Sequence, residues 1–181
     1  MSKNDLTKKI ADVFHNKKIR VPFFVPDISE SDKLAVMNAL NSRMLTDGPQ
    51  LRKFEREFAK YTGSKYAVGV SNGTAALHLA LKALGLKKGD EVIIPNITFV
   101  ATANSVLLTG ATPVLVDVNY DDMNISLDSI KQNITSKTKA ILPVHIAGKI
   151  CKMTQIKKIA KKNNLLLIED CAHAIGTKLN N

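Results

Sequence analysis

Ala67-Val68-Gly69-Val70-Ser71-Asn72-Gly73-Thr74-Ala75-Ala76-Leu77 is the stretch on which the fold turns. Its first four residues are a short apolar run that predicts a strand. Leu77, Leu81 and Leu84, at steps of four and three, predict a helix beginning in the turn at 71–74. A strand, a glycine turn and a helix N-terminus together make an anion site. Gly73 admits a ligand close to the backbone, Thr74 offers a hydroxyl, and the first N–H groups of a helix have no intrahelical acceptor. Phosphate is the expected occupant. The same string also suits a plain strand-to-helix connection capped by Ser71 or Asn72, so by itself it leaves both readings open.

Outward from this stretch the chain alternates between short apolar runs and amphipathic segments. Glu91-Val92-Ile93-Ile94, the run at 113–116, Ala140-Ile141-Leu142-Pro143-Val144 and Leu165-Leu166-Leu167-Ile168 predict strands. Between them lie helical patterns at 99–108, from Ser126 to about Asn133, and a lysine-rich one with Met153, Ile156 and Ile159 inward. Upstream, Ser29-Glu30-Ser31-Asp32 has the form of a capping box before a stripe of Leu34, Met37 and Leu40. Leu51, Phe54, Phe58 and Tyr61 mark a second amphipathic helix that ends at Gly63. Strands alternating with helices predict an α/β fold, a mostly parallel sheet covered on both faces in three layers. Residues 1–21 read as a basic N-terminal arm and 22–181 as one domain.

Composition narrows the function classes. The 181 residues are 45% hydrophobic and 23% charged, ordinary for a globular chain with a sizeable core. No run approaches the roughly 20 apolar residues of a membrane span, and residues 1–18 lack a signal-peptide core, so a cytoplasmic location is expected. Cys151 and Cys171 are too few and too far apart for a disulfide framework or metal cluster, and both are expected to be packed free thiols. A net charge of +10 invites a nucleic-acid reading. Its lysines gather instead in the N-terminal arm and along the helix at 152–162, without interleaved aromatics, so a solvated helix face is the better account.

In a parallel α/β sheet, ligands bind beyond the carboxyl ends of the strands. The segments delivered there are 71–74, Pro95-Asn96-Ile97-Thr98-Phe99, Asp117, His145 and Glu169-Asp170-Cys171-Ala172-His173. They offer a phosphate cradle, an aromatic ring and a carboxylate at the end of a buried strand. That combination suits pyridoxal 5′-phosphate, whose phosphate needs an anchor, whose ring needs a stacking partner and whose pyridine nitrogen needs a carboxylate to keep it protonated.

Seven strings in order carry a resemblance to a known family. They are Thr46-Asp47-Gly48-Pro49, 71–77, Gly89-Asp90-Glu91-Val92-Ile93, Thr98-Phe99-Val100-Ala101-Thr102, Gly110-Ala111-Thr112-Pro113, Val144-His145-Ile146-Ala147-Gly148 and 168–176. From about residue 21 to 176 the chain resembles the N-terminal half of the DegT/DnrJ/EryC1/StrS aminotransferases, pyridoxal-phosphate enzymes that aminate nucleotide-linked keto-sugars. The resemblance implies the large domain of fold-type I enzymes, two subunits sharing each active site, and glutamate as amino donor. It implies roles residue by residue: Gly73 and Thr74 for the phosphate, Phe99 stacked on the ring, Asp170 on the pyridine nitrogen, and His173 beside the 3′-oxygen.

The chain also departs from that pattern. The family's Schiff-base lysine lies about two dozen residues beyond the Asp, and Lys178 does not match its position. Residues 22–181 are therefore expected to be a partial large domain, unable to transaminate alone because no base is placed for the proton shift. A sugar 3-dehydratase of the same family, with a histidine in place of the lysine, and a non-catalytic module that pairs with a complementary subunit are the alternative expectations.

Overall fold

Val92, Ile93 and Ile94 are wholly buried, and their alternation organises the molecule. A computed structural model describes residues 25–179; the basic arm expected at 1–21 lies outside the described residues. Four strands, β1 (Glu91–Pro95), β2 (Thr112–Val116), β3 (Thr138–Ile141) and β4 (Leu166–Leu167), form one parallel sheet in the order β2-β1-β3-β4. The described helices are α1 (Glu30–Leu40), α2 (Pro49–Thr62), α3 (Gly73–Ala83), α4 (Ala101–Leu107), α5 (Leu127–Gln132) and α6 (Met153–Lys162).

Side chains on a strand alternate between faces, so β1 feeds two cores. Val92 and Ile94 join Leu77, Leu81, Val106 and Leu142 on the face covered by α3 and α4. Ile93 joins Ile130, Ile141, Met153 and Ile156 on the face covered by α5 and α6. Full burial of each of these aliphatic side chains contributes about 1.5–3 kcal/mol, which is why β1 reads as a continuous apolar run rather than an alternating one. The three layers expected from the sequence are thus present.

The chain divides into two compact units, residues 1–54 and 55–181. In the first, the capping box is made: the Asp32 N–H donates to Ser29 Oγ at 3.2 Å and the Ser29 N–H to Asp32 Oδ2 at 2.8 Å. The apolar stripe expected on α1 is not buried, since Leu34, Met37 and Leu40 are all exposed.

The second unit corrects two strand assignments. Residues 67–70 belong to no strand and are unpaired among the described residues; the Gly69 N–H donates to Glu55 Oε1 at 2.8 Å, and Val68 and Val70 stay exposed. A short apolar run becomes a strand only where a neighbouring strand accepts its ladder. β3 ends at Ile141 rather than at 144, because Pro143 has no N–H to continue the ladder. The pairing resumes beyond it, the Asp170 N–H donating to Pro143 O at 3.0 Å and the His145 N–H to Asp170 O at 3.1 Å.

Candidate active site

The strand order places the site before any side chain is considered. From β1 the chain crosses through α4 to β2 on one side, and later returns to β3 on the other. The connections leaving β1 and β3 therefore diverge, and a crevice opens at their carboxyl ends, the topological switch point where α/β sheets hold ligands. A cavity of about 290 Å³ lies there, lined by residues from four segments: Asn72, Gly73, Thr74 and Leu77 of α3 and its cap; Thr98, Phe99 and Ala101 after β1; Val144 and Ile146 after β3; Asp170, Ala172 and His173 after β4.

Asn72 explains the geometry of the α3 end. Its Oδ1 accepts the Ala75 N–H at 2.9 Å and its carbonyl accepts the Ala76 N–H at 3.1 Å. Among the described residues the N–H groups of Gly73 and Thr74 have no protein acceptor, so they remain for a ligand. Gly73 is not there for its backbone freedom: its φ is not positive, and a Cβ built on it meets nothing within 4 Å. The glycine instead keeps open a space at a helix N-terminus that any other side chain would enter.

Asp170 is held from three directions. It is only 9% exposed. Its N–H and carbonyl pair with the chain after β3, and its Oδ1 accepts the Ala172 N–H at 3.1 Å. Oδ2 has no partner among the described residues, so a fixed carboxylate edge is left at the cavity wall. His173 accepts the Ala147 N–H on Nδ1 at 3.3 Å, which leaves the proton of the neutral ring on Nε2. Phe99 is 72% exposed and lines the cavity, so it is not a core aromatic.

Asp117 and His145, also at strand ends, stand elsewhere. Asp117 Oδ1 accepts from Asn96 Nδ2 at 3.0 Å. Buried His145 faces a second cavity of about 220 Å³, together with Lys157, Glu169 and Cys171. Its Nδ1 accepts the Cys151 N–H at 3.2 Å and its Nε2 lies 3.2 Å from Glu169 Oε2. The Cys151, Cys171 and Glu169 side chains raise the pKa of this ring against the opposing effect of burial. The His145 hydrogen bond, with help from Lys157, lowers that of Glu169 against its own burial. Glu169 and Asp170 thus point to opposite sides of the strand end. Cys151 is buried as expected, whereas Cys171 is exposed, because residues after Asp170 leave the sheet.

The sequence reading brought five residues to this cavity, Gly73, Thr74, Phe99, Asp170 and His173, and all five line it. It did not single out Asn72 as the cap that frees the two N–H groups, nor Ala147 as the donor to His173. The first is signalled by Asn directly before a Gly-Thr helix start. The second depends on residues 26 apart and had no local signal.

The family described as the DegT/DnrJ/EryC1/StrS aminotransferases matches residues 26–181. GDP-perosamine synthase of Escherichia coli O157:H7 is 46% identical over 159 residues, 87% of this chain and 44% of that protein. The aminotransferase from Psychrobacter cryohalolentis superposes with a TM-score of 0.81 at 45% identity, over 86% of this chain and 40% of its own. NtdA from Bacillus subtilis, with bound cofactor PMP, superposes with a TM-score of 0.77 at 38% identity, over 88% of this chain and 39% of its own. The chain thus spans less than half the length of these relatives. Its parallel sheet and layers are those of the fold-type I aminotransferases, and the chain belongs to the DegT/DnrJ/EryC1/StrS aminotransferase family.

Proposed function

We propose that this chain forms the cofactor-binding part of a cytoplasmic, pyridoxal-phosphate-dependent aminotransferase that transfers an amino group from glutamate to a nucleotide-linked keto-sugar. The observation that carries the reading is the convergence of Gly73, Thr74, Phe99, Asp170 and His173 on one cavity at the switch point. The residues fit the cofactor on this chain's own geometry. The open space at Gly73 and the two N–H groups without acceptors suit a phosphate, and the free edge of Asp170 suits a protonated ring nitrogen.

In this reading Gly73 and Thr74 bind the phosphate, with the Thr74 hydroxyl adding a donor. Asp170 Oδ2 accepts from the pyridine nitrogen and holds a proton there. His173 donates from Nε2 to the ring oxygen, and Phe99 covers one ring face. Bound there, pyridoxal phosphate supplies an electron sink that can take an amino group from one substrate and give it to another. The resemblance assigns the proton shuttle between the reacting carbons to a Schiff-base lysine whose position Lys178 does not match. The exposure of Phe99 and Val100 beside the cavity supports a homodimer in which a second subunit covers the site.

The test uses the full gene product in which this chain occurs. Incubated with glutamate and a nucleotide-linked 4-keto-sugar, it is expected to form 2-oxoglutarate beyond one equivalent per bound cofactor only when the sugar is present. Cofactor binding without any sugar-dependent 2-oxoglutarate would refute the substrate class.

A further inference from the structure

His173 owes its orientation to a turn that is itself backbone-strained. Residues Ile146–Gly148 form a short 3₁₀ turn in which Ala147 has φ 49° and ψ 27°, the left-handed region that alanine avoids. Gly148 follows at φ 82°, and a Cβ there would stand 3.1 Å from the carbonyl oxygen of His173. The turn therefore meets His173 twice, through the Ala147 N–H on Nδ1 and through the bare Cα of Gly148 against the backbone. Strain of this kind persists only when the surroundings over-determine it.

Asn124 adds to the turn's own backbone bonds, in which the Gly148 N–H donates to His145 O at 3.2 Å and the Lys149 N–H to Ile146 O at 2.9 Å. It is 2% exposed, and its amide spans the turn from beneath. Oδ1 accepts the Ile146 N–H at 3.4 Å, a donor it shares with Val144 O at 3.0 Å, and Nδ2 donates to Lys149 O at 3.1 Å. Its own backbone is fixed in turn: the Asn119 N–H donates to Asn124 O at 2.9 Å and the Asn124 N–H to Asp122 Oδ1 at 3.0 Å. A buried amide that satisfies both of its ends on one turn fixes that turn with little freedom to tilt.

We propose that Asn124, acting through the 146–149 turn, is a positioning residue that holds His173 as the Nε2–H tautomer, so that a donor rather than a lone pair is offered to an oxygen of the cavity ligand. The inference rests on the cofactor reading only for the identity of that oxygen; the tautomer is a property of the chain alone.

The test is therefore made on the 181-residue chain without added cofactor. ¹⁵N-detected imidazole NMR at about pH 8, above the ordinary histidine range, is assigned to His173 by the signals lost in H173Q. The wild type is expected to show Nε2–H as the single dominant tautomer. Asn124→Asp keeps the acceptor, removes the donor to Lys149 O and is expected to raise Nδ1–H from undetectable to a measurable minor share. A wild-type ring protonated at Nδ1 would overturn the proposal, as would a folded N124D chain whose His173 stays wholly Nε2–H. Should circular dichroism show N124D unfolded, the same comparison is made with Asn124→Ser, and a folded N124S chain whose His173 stays wholly Nε2–H would overturn the proposal. Failure of pyridoxamine phosphate to bind, with the tautomer as expected, would count against the cofactor reading and leave this inference standing.

Discussion

Gly73→Ala is expected to make the protein more stable and a poorer binder at once. The added Cβ meets no protein atom within 4 Å, and the backbone at residue 73 is one that alanine adopts without strain. Replacing glycine by alanine at such a position stabilises by roughly 0.4–1 kcal/mol, chiefly by restricting the unfolded chain. For a domain of this size that raises the melting temperature by roughly 1–4 °C. The same methyl group enters the space in which a phosphate would meet the N–H groups of Gly73 and Thr74. Pushing the phosphate away weakens one or two charge-assisted hydrogen bonds of about 1.5–3 kcal/mol each. Loss of a single one lowers affinity roughly ten- to hundredfold, at about 1.4 kcal/mol per tenfold. Circular dichroism melting of the ligand-free chain measures the first effect. Fluorescence titration with pyridoxamine phosphate, which lacks the aldehyde that would react with surface lysines, measures the second. Unchanged affinity would show that the phosphate does not sit at Gly73. A lowered melting temperature would show that the glycine serves the fold, and the reasoning from its open surroundings would fail.

Asp170→Asn keeps the acceptor for the Ala172 N–H and removes the charge, so affinity for pyridoxamine phosphate should fall roughly tenfold or more while that for inorganic phosphate holds; equal losses for both ligands would contradict the assignment to the ring nitrogen. Glu169 has a folded-state pKa below its ordinary 4.5, so its contribution to stability is present above that value and is lost as pH falls through the lower one. Urea unfolding of E169Q should therefore show a shallower decline in stability below about pH 5 than the wild type, and superimposable pH profiles would sink the pairing with His145. Ile93→Ala empties a wholly buried site between β1 and the α5–α6 layer, and should cost about 2–5 kcal/mol in denaturant unfolding; a loss below 1 kcal/mol would mean that this face is not packed.

Most of the sheet was legible because its central strand β1 is buried on both faces and its neighbours are short apolar runs. Apolar runs such as 91–94, stopped by proline or followed by a carboxylate, have few other places to go. The run at 67–70 misled because it has the composition of a strand without a paired neighbour, and pairing is a property of two segments. α1 misled for a related reason: Leu34, Met37 and Leu40 have helical spacing, but spacing alone does not say what covers a face. The exposed Cys171 follows from the chain leaving the sheet after Asp170, which no count of cysteines reveals.

The sequence by itself determined the layered α/β architecture, because strand periodicity and the order of strand ends are local properties, and it offered Gly73, Thr74, Phe99, Asp170 and His173 as candidates through the motifs that carry the family resemblance. Only the tertiary structure decided that these five share one cavity, that Asn72 leaves two N–H groups free above it, and that Asn124 reaches His173 through the strained turn at Ala147. Those relations join residues brought together by the parallel crossovers of the sheet, and a contact across such a crossover leaves no periodic trace along the chain.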